Sequence, residues 1–292
     1  MIKSRKLEAL AYLFIGIIAI SIIIPFILLF MSSITDETAI TRYGYSFWPK
    51  EFSLSAYAYL WKSASTIARA YVISIIVTVV GTVLGLTLTV LCAYPLSRRD
   101  LPGRNVMTFF VFFTMLFNGG LVPTYLIYTQ YFHIKNTIWA LLVPNFLVQA
   151  YNVMLAKTFF QTSIPVEILE AARVDGAKEA VIFGKIVLPI SKPIFATLGL
   201  FISVTYWNDW TNGLIYLTDS KWFSLQNLLN RMTSNIQFLS SNSLGGNLST
   251  ADLPSQTVRM AIAIIGVVPM MAAYPFFQKY FVKGIALGAV KG

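Results

Sequence analysis

The sequence predicts an all-α membrane protein with six transmembrane helices. Three observations lead there. Of its 292 residues 57% are hydrophobic and 12% charged, about half the charge density of an ordinary soluble domain. Mean hydropathy is +0.69, and long apolar runs recur along the chain, each near the length needed to cross a bilayer. The net charge of +10 falls mainly on alternate connecting segments, the pattern of cytoplasmic loops in a polytopic protein. That distribution explains the basic balance without a nucleic-acid partner.

The first run, Ala9 to Thr35, follows a basic start (Lys3, Arg5, Lys6). It is too long for the apolar core of a signal peptide and lacks a small-x-small cleavage pattern, so it reads as a retained span with Pro25 as a kink site. Residues 36–69 are mixed and rich in aromatics, including Tyr43, Trp48, Tyr57 and Trp61. Such residues favour a membrane–water interface, so this loop is expected partly on the outer surface. The second run, Ala70 to Ser97, holds Gly81-x-x-x-Gly85, a spacing that lets helices approach closely. Arg98, Arg99, Asp100 and Arg104 surround a Pro102-Gly103 turn.

The third run, Asn105 to Phe132, is interrupted by Phe117-Asn118-Gly119-Gly120 and Pro123. Two readings stand: a broken or unwound span lining a cavity, or a helix that ends early and is followed by an interfacial segment. The fourth run, Asn136 to Ala156, carries Asn145, Gln149 and Asn152. At spacings of four and three they would share one helical face, turned toward the protein interior or a pathway. A fifth run, Ile194 to Thr218, is broken by Trp207-Asn208-Asp209-Trp210. Residues 219–255 form a polar loop with a Gly/Ser/Asn-rich stretch, expected to be long and flexible. The sixth run is Met260 to Gln278. Cys92 can make no internal disulfide, and the single histidine, His133, excludes a multi-histidine metal site.

Six spans place both termini on one side. With the termini inside, 14 of the 22 Lys and Arg fall on inner segments, mostly short ones close to span ends. The termini are therefore expected in the cytoplasm, with loops 36–69 and 219–255 outside. Residues 162–193 then form a cytoplasmic insertion between the fourth and fifth runs. Its Pro165 suits a helix start, and Glu167 and Glu170 favour the positive end of the helix dipole. Asp175-Gly176 ends the first helix. A second helix is expected from Ala177 to about Val187, with Pro189 preventing its extension. Ala171, Ala172 and Ala177 leave little bulk at the turn, so the element reads as a rigid helical hairpin.

Within that hairpin Glu170-Ala171-Ala172, then Gly176 after three residues, then Ile186, Leu188 and Pro189 fill every fixed position of the motif EAA-x3-G-x9-I-x-L-P. The chain thereby resembles the permease subunits of ABC importers. The tail Tyr274 to Gly284 and the closing Gly288-Ala289-Val290-Lys291-Gly292 are similar to the carbohydrate-uptake branch, specifically the maltose-type second permease and its complex-saccharide subgroup. The resemblance covers essentially the whole chain and implies the type I ABC importer permease fold in a single domain, 1–292, of a bacterial cell membrane. It also implies a second, homologous permease subunit, two cytoplasmic ABC ATPase subunits holding ATP and Mg, and an extracellular sugar-binding protein. The hairpin would be the coupling helix. Glu170, Ala171, Ala172, Arg173, Asp175, Gly176, Ala177, Leu188 and Pro189 would carry the ATPase contact, and Lys291 and Gly292 would reach the ATPase from the tail.

The chain has no Gly-x-x-x-x-Gly-Lys-Ser/Thr phosphate loop, no metal-ligand cluster and no nucleophile–His–acid arrangement, so no catalytic residue or cofactor is expected in it. An oligosaccharide path needs planar polar groups and aromatic faces at membrane depth. The candidates are Phe117, Asn118, Tyr125, Asn145, Gln149, Asn152, Trp207, Asn208, Asp209 and Trp210. Satisfied interhelical hydrogen bonds are the alternative for Asn145, Gln149 and Asn152, and interfacial anchoring for the two tryptophans. An ion-coupled secondary transporter would need more intramembrane acids than Asp209, and a membrane glycosyltransferase would need clustered acids.

Overall fold

A computed structural model describes the backbone of residues 5–144, 146–242 and 255–289. Asn145, Lys291, Gly292 and most of the Gly/Ser/Asn-rich stretch (243–254) lie outside the described residues. Among the described residues the chain is helical, and its one β-type pairing is an isolated bridge between Thr35 and Phe52. The contacts divide it into two units, residues 1–67 with 229–269, and residues 68–228 with 270–292.

In the first unit α1 (Arg5–Ser33) runs through Pro25. Its residues from Ala9 onward are long and apolar enough to cross a bilayer, and Leu10 to Phe30 present exposed Leu, Ile and Phe. A helix that is apolar all round and unburied suits lipid. The segment after it is less irregular than expected. It contains α2 (Glu37–Tyr43) and α3 (Ser55–Trp61). Asp36 caps α2, its Oδ1 accepting from Thr38 N at 2.9 Å. Glu37 reaches across the unit to the start of α15 (Ser255–Ala289), where its carboxylate accepts from Gln256 N at 2.8 Å and Thr257 N at 2.9 Å. These N–H groups have no partner inside their own helix, so a carboxylate there satisfies both and complements the helix dipole. The predicted flexible loop 219–255 is corrected in part: α14 (Leu225–Asn242) occupies 18 of its residues.

In the second unit α4 (Ala64–Ser97) begins six residues before the expected span and is the second helix able to cross a bilayer alone. The third run breaks as its composition predicts. Helix α5 (Arg104–Leu116) ends at Phe117, and α6 (Leu121–Leu126) continues through a π-turn to Tyr131. The halves meet at 110°. Gly120 sits at φ +90°, a conformation open to glycine. The fourth run is corrected. It is not one helix but a single turn, α7 (Trp139–Leu142), an irregular stretch, and α8 (Ala150–Ser163). Val143 still has helical angles and bonds to Trp139 O, but Pro144 has no N–H with which to continue the ladder. Gln149 and Asn152 therefore do not share a helical face, since Gln149 is extended and Asn152 helical; Asn145 lies outside the described residues.

Among the described residues, length and composition alone give two crossings, or up to four if each bent pair is one span. Helices α5 and α8, with 13 and 14 residues, reach only about 20 Å against the roughly 30 Å of a hydrocarbon core. Polar breaks have shortened the runs that hydropathy counts as spans.

Helices α4 and α12 (Lys192–Trp207) pack through the small-residue spacing. A Cβ on Gly81 would lie 2.5 Å from the Tyr206 ring, whereas one on Gly85 would meet Ile202 Cγ2 at 3.4 Å. Tyr206 is buried and donates its hydroxyl to Leu142 O at 2.8 Å. The Gly-x-x-x-Gly element thus serves packing inside this chain.

Candidate functional site

The hairpin is built from α9 (Val166–Val174) and a second helix that begins at Glu179. Pro165 stands immediately before α9, and Glu167 lies in its first turn. The turn is a complete Schellman closure. Gly176 N donates to Arg173 O and Ala177 N to Ala172 O, both at 3.0 Å. Gly176 takes φ +79° with nothing within 4 Å of a would-be Cβ, so glycine is required there by backbone and not by space.

The second helix corrects the expectation. Ala177 precedes it, Lys178 is its N-cap, and it does not stop at Pro189. Helix α10 (Glu179–Ile182) passes through a π-turn, Phe183–Val187, into α11 (Leu188–Ile190). The wider turn just before the proline is the kind of local adjustment that rearranges the carbonyls left without a donor. Pro189 is absorbed and the rod is longer.

The inner face of the hairpin is apolar. Leu169, Ile182 and Val187 are buried in one cluster with Val90, Tyr94, Val153, Phe160 and Leu198, while Ala172, Ala177, Ile186 and Leu188 pack against it. Each fully buried Leu or Ile contributes about 1.5–3 kcal/mol, which seats the hairpin on the ends of α4 and α8. Tyr94 links the layers. Its ring lies 4.9 Å from Phe183 and 6.2 Å from Phe160, and its hydroxyl donates to Glu179 Oε2 at 3.0 Å.

Arg173, at a variable position of the motif, is placed differently from the motif residues beside it. Its Nε donates to Glu179 Oε1 at 2.7 Å and its Nη2 to Asp100 Oδ2 at 2.8 Å. It ties the first helix of the hairpin to the second and to the loop after α4. The hydrogen bond from Arg173 holds the Asp100 carboxyl below its ordinary pKa. At Glu179 desolvation pushes upward, but the bonds from Arg173 and Tyr94 outweigh it and the pKa is lowered. These groups are largely exposed, so each pair adds little stability and the tie acts mainly on position. Carboxyls depressed in the folded state stabilise above their unfolded values and lose that contribution as pH falls through the folded ones. The tie is therefore expected to hold through the ordinary carboxylate range and to release only as pH falls below it. Spin-label distances between Thr158 and Lys178 check this: the distribution should broaden only in strong acid in the wild type, and already at pH 7 in Arg173→Gln. Identical distributions at pH 7 would show that the tie positions nothing.

The outer face is what remains for contact. Glu170, Ala171, Asp175, Gly176 and Lys178 are exposed. So is Val174, 88% accessible at the tip, an apolar residue that the motif does not mark.

The expected path residues are only partly brought together. Phe117 ends α5, stacked on Phe113 at 5.5 Å. Asn118 Oδ1 accepts from Gly120 N at 2.9 Å and shapes the break. Both line a cleft of about 440 Å³. Asn118 also lines a second, of about 320 Å³, with Thr124, Thr211, Asn212 and Tyr216. Tyr125 instead stacks on Tyr216 at 5.8 Å. Asn152 is buried and donates to Gln149 Oε1 at 3.1 Å, the satisfied arrangement. Trp207 is buried beside Tyr71 and is not an interfacial anchor, while Trp210 is half exposed. Asn208 is exposed, and its side chain donates to Val204 O of its own helix. Asp209 is buried and caps α13 (Thr211–Tyr216): Oδ1 accepts from Thr211 N at 3.0 Å and Asn212 N at 3.1 Å. Asn212 in turn donates to Pro144 O at 3.1 Å, binding the two irregular stretches together.

Sequence reasoning missed Asp100, Glu179 and Tyr94 as the partners that position Arg173. It also missed Thr124, Thr211 and Asn212 beside Asn118. For the first group the motif itself was the only signal, and it does not include them.

The chain matches the model of the family described as "Binding-protein-dependent transport system inner membrane component" over residues 85–287. It is 38% identical to Protein LplC of Bacillus subtilis over 288 residues, 99% of this chain and 96% of that protein. It is also 38% identical to the polygalacturonan/rhamnogalacturonan transport system permease protein YtcP of the same organism, over 99% of this chain and all of that one. Among solved structures it resembles a chain of a bacterial ABC transporter involved in the import of the acidic polysaccharide alginate, with TM-score 0.78 and 29% identity over 96% of this chain and 98% of that one. The resemblance carried by the hairpin motif and the full-length likeness agree, and the chain belongs to the family of binding-protein-dependent transport system inner membrane components.

Proposed function

We propose that the chain is one permease subunit of an ATP-driven, binding-protein-dependent oligosaccharide importer of the bacterial cytoplasmic membrane. It forms half of the translocation path, the other half coming from a second, homologous permease. Two ABC ATPase subunits, which hold the ATP and Mg, dock from the cytoplasm, and an extracellular binding protein delivers the sugar. The chain crosses six times as a single permease domain with its termini inside. Loops 36–69 and 219–255 face outward and the tail with Lys291 and Gly292 faces the ATPases. This topology rests on the distribution of Lys and Arg.

One observation carries the mechanism. The motif that the sequence fills at every fixed position folds as a two-helix rod with a buried apolar face and an exposed tip. A rod seated in this way transmits a push without deforming. Closure of the ATPase pair would move it, and through Leu169, Ile182 and Val187 it would move α4 and α8. That is a rigid-body route to alternating access. Saccharide names among the relatives and the clefts around Asn118 support the substrate class. Phe117 and Asn118, with Thr124, Thr211 and Asn212, line those clefts and are the residues proposed to meet the sugar. The ion-coupled alternative would rest on Asp209, whose Oδ1 caps α13 and whose buried Oδ2 has no hydrogen-bond partner among the described residues.

The test is to purify the tagged chain from native membranes in mild detergent and to measure uptake of labelled oligosaccharides in vesicles. A P-loop ATPase should co-purify, and uptake should require ATP and the binding protein. Uptake by the chain alone, driven by a proton or sodium gradient, would establish the alternative.

A further inference from the structure

A cleft of about 620 Å³ lies at the root of the hairpin. Four arginines line it: Arg98 and Arg99 at the end of α4, Arg104 at the start of α5, and Arg173 on α9. Two acids, Asp100 and Glu170, share the wall. Asp100 is already engaged on both oxygens, Oδ1 lying 3.4 Å from Arg98 Nε and Oδ2 2.8 Å from Arg173 Nη2. Arg98 Nε, although buried, finds no hydrogen-bond acceptor at that distance. No ion pair or hydrogen bond within the described chain holds the guanidinium of Arg99 or Arg104. One turn along α5, Lys157 of α8 donates to Thr108 at 3.3 Å, adding a further cation on that side.

The cleft therefore carries uncompensated positive charge and forked donors at the point where two apolar helices leave the bilayer. Above it α5 turns Val106, Met107, Phe109, Phe110 and Phe113 outward, none of them buried. A ligand that satisfies both features has a phosphate at one end and hydrocarbon at the other. Guanidinium groups suit a phosphate because their planar forks bond two oxygens at once. Basic pockets between spans on the cytoplasmic side are a recurrent headgroup site. We infer that this cleft binds the headgroup phosphate of an anionic phospholipid from the inner leaflet, with its acyl chains along α5. The inference rests on the cytoplasmic placement of the hairpin proposed above. A lipid so placed sits where α4, α5, α8 and the hairpin meet, and would brace the coupling element against the membrane.

The experiment uses the full-length chain, purified in mild detergent with whatever subunits accompany it. It is exchanged into vesicles of one acyl composition with either phosphatidylglycerol or phosphatidylcholine, and retained lipid is counted by native mass spectrometry. Phosphatidylglycerol should be retained in clear preference. An interfacial Lys or Arg contributes about five- to sixfold, so Arg99→Gln with Arg104→Gln should lower the preference about thirtyfold. Lys62→Gln with Arg69→Gln, at the other end of α4, should leave it unchanged. Equal retention of both lipids by the wild type would overturn the proposal, as would an unchanged preference in the Arg99/Arg104 variant. Displacement by glycerol phosphate as effectively as by lipid would assign the cleft to a soluble phosphate and overturn it. So would loss of the co-purifying ATPase from that variant with lipid retention intact, which would make the cleft a protein-docking surface. ATPase stimulation by the binding protein reports on coupling separately, so failure of the lipid site and failure of the transport reading are distinguishable.

Discussion

Glu170→Lys is expected to reduce ATP-dependent oligosaccharide uptake by two orders of magnitude or more while the chain still inserts and keeps its thermal stability. The two halves of this expectation have separate causes. Glu170 is exposed on α9, outside the apolar cluster that holds the hairpin, and the Arg173 tie runs through Asp100 and Glu179 instead. Surface changes away from such features alter stability by no more than about 0.5 kcal/mol. In a docked complex the same carboxylate would be desolvated against its partner, and removing one member of a buried charge pair costs about 2–5 kcal/mol. Charge reversal adds repulsion. Glu170→Gln should fall between wild type and the lysine variant. Gly176→Ala should act by another route, since its Cβ meets nothing but its φ of +79° costs roughly 1–2 kcal/mol in a non-glycine residue. Uptake and ATPase stimulation measured on the same preparations, with melting temperatures alongside, separate these cases. Wild-type uptake in Glu170→Lys would remove the coupling role from this residue.

The second large effect concerns folding, and it contrasts two glycines four residues apart. Gly81→Ala is expected to destabilise the chain by about 1–3 kcal/mol, whereas Gly85→Ala should be neutral or slightly stabilising. Alanine in a helix interior gains about 0.5–1 kcal/mol over glycine at either position. At Gly85 the new methyl would make ordinary contacts at 3.4 Å with Ile202 and Leu147 O. At Gly81 it would overlap the Tyr206 ring at 2.5 Å. That ring cannot move aside cheaply, because it is buried, packs edge-on against Phe146 at 5.5 Å and is anchored through its hydroxyl to Leu142 O. Thermal unfolding of the detergent-solubilised chain checks the difference. Equal melting temperatures for the two variants would mean that α4 and α12 do not pack through Gly81.

Several features were legible in the residues alone because they depend on local chemistry. Asn118, Gly119 and Gly120 break the third run because glycine and asparagine favour non-helical backbone. Gly176 turns the hairpin because a left-handed position needs a residue without Cβ. Other features depended on what faces what. Asn145, Gln149 and Asn152 have helical spacing, but Pro144 interrupts the helix that the spacing assumes. Asp209 looked like a lone intramembrane acid, and its role as a cap on α13 required the chain to turn back within two residues. Residues 225–242 read as part of a flexible loop because their composition is polar, yet they form a helix, α14.

The sequence by itself determined that this chain belongs in a membrane, where its third and fifth runs break, and that it carries a hairpin with a fixed motif. Hydropathy, proline and glycine geometry, and residue spacing are all properties of short stretches. Only the tertiary structure decided that Arg173 is a tie between helices, that Gly81 is a packing contact within the chain, and that four arginines share one cleft. Each of these joins residues from separate helices, and no local propensity specifies which side chains will meet.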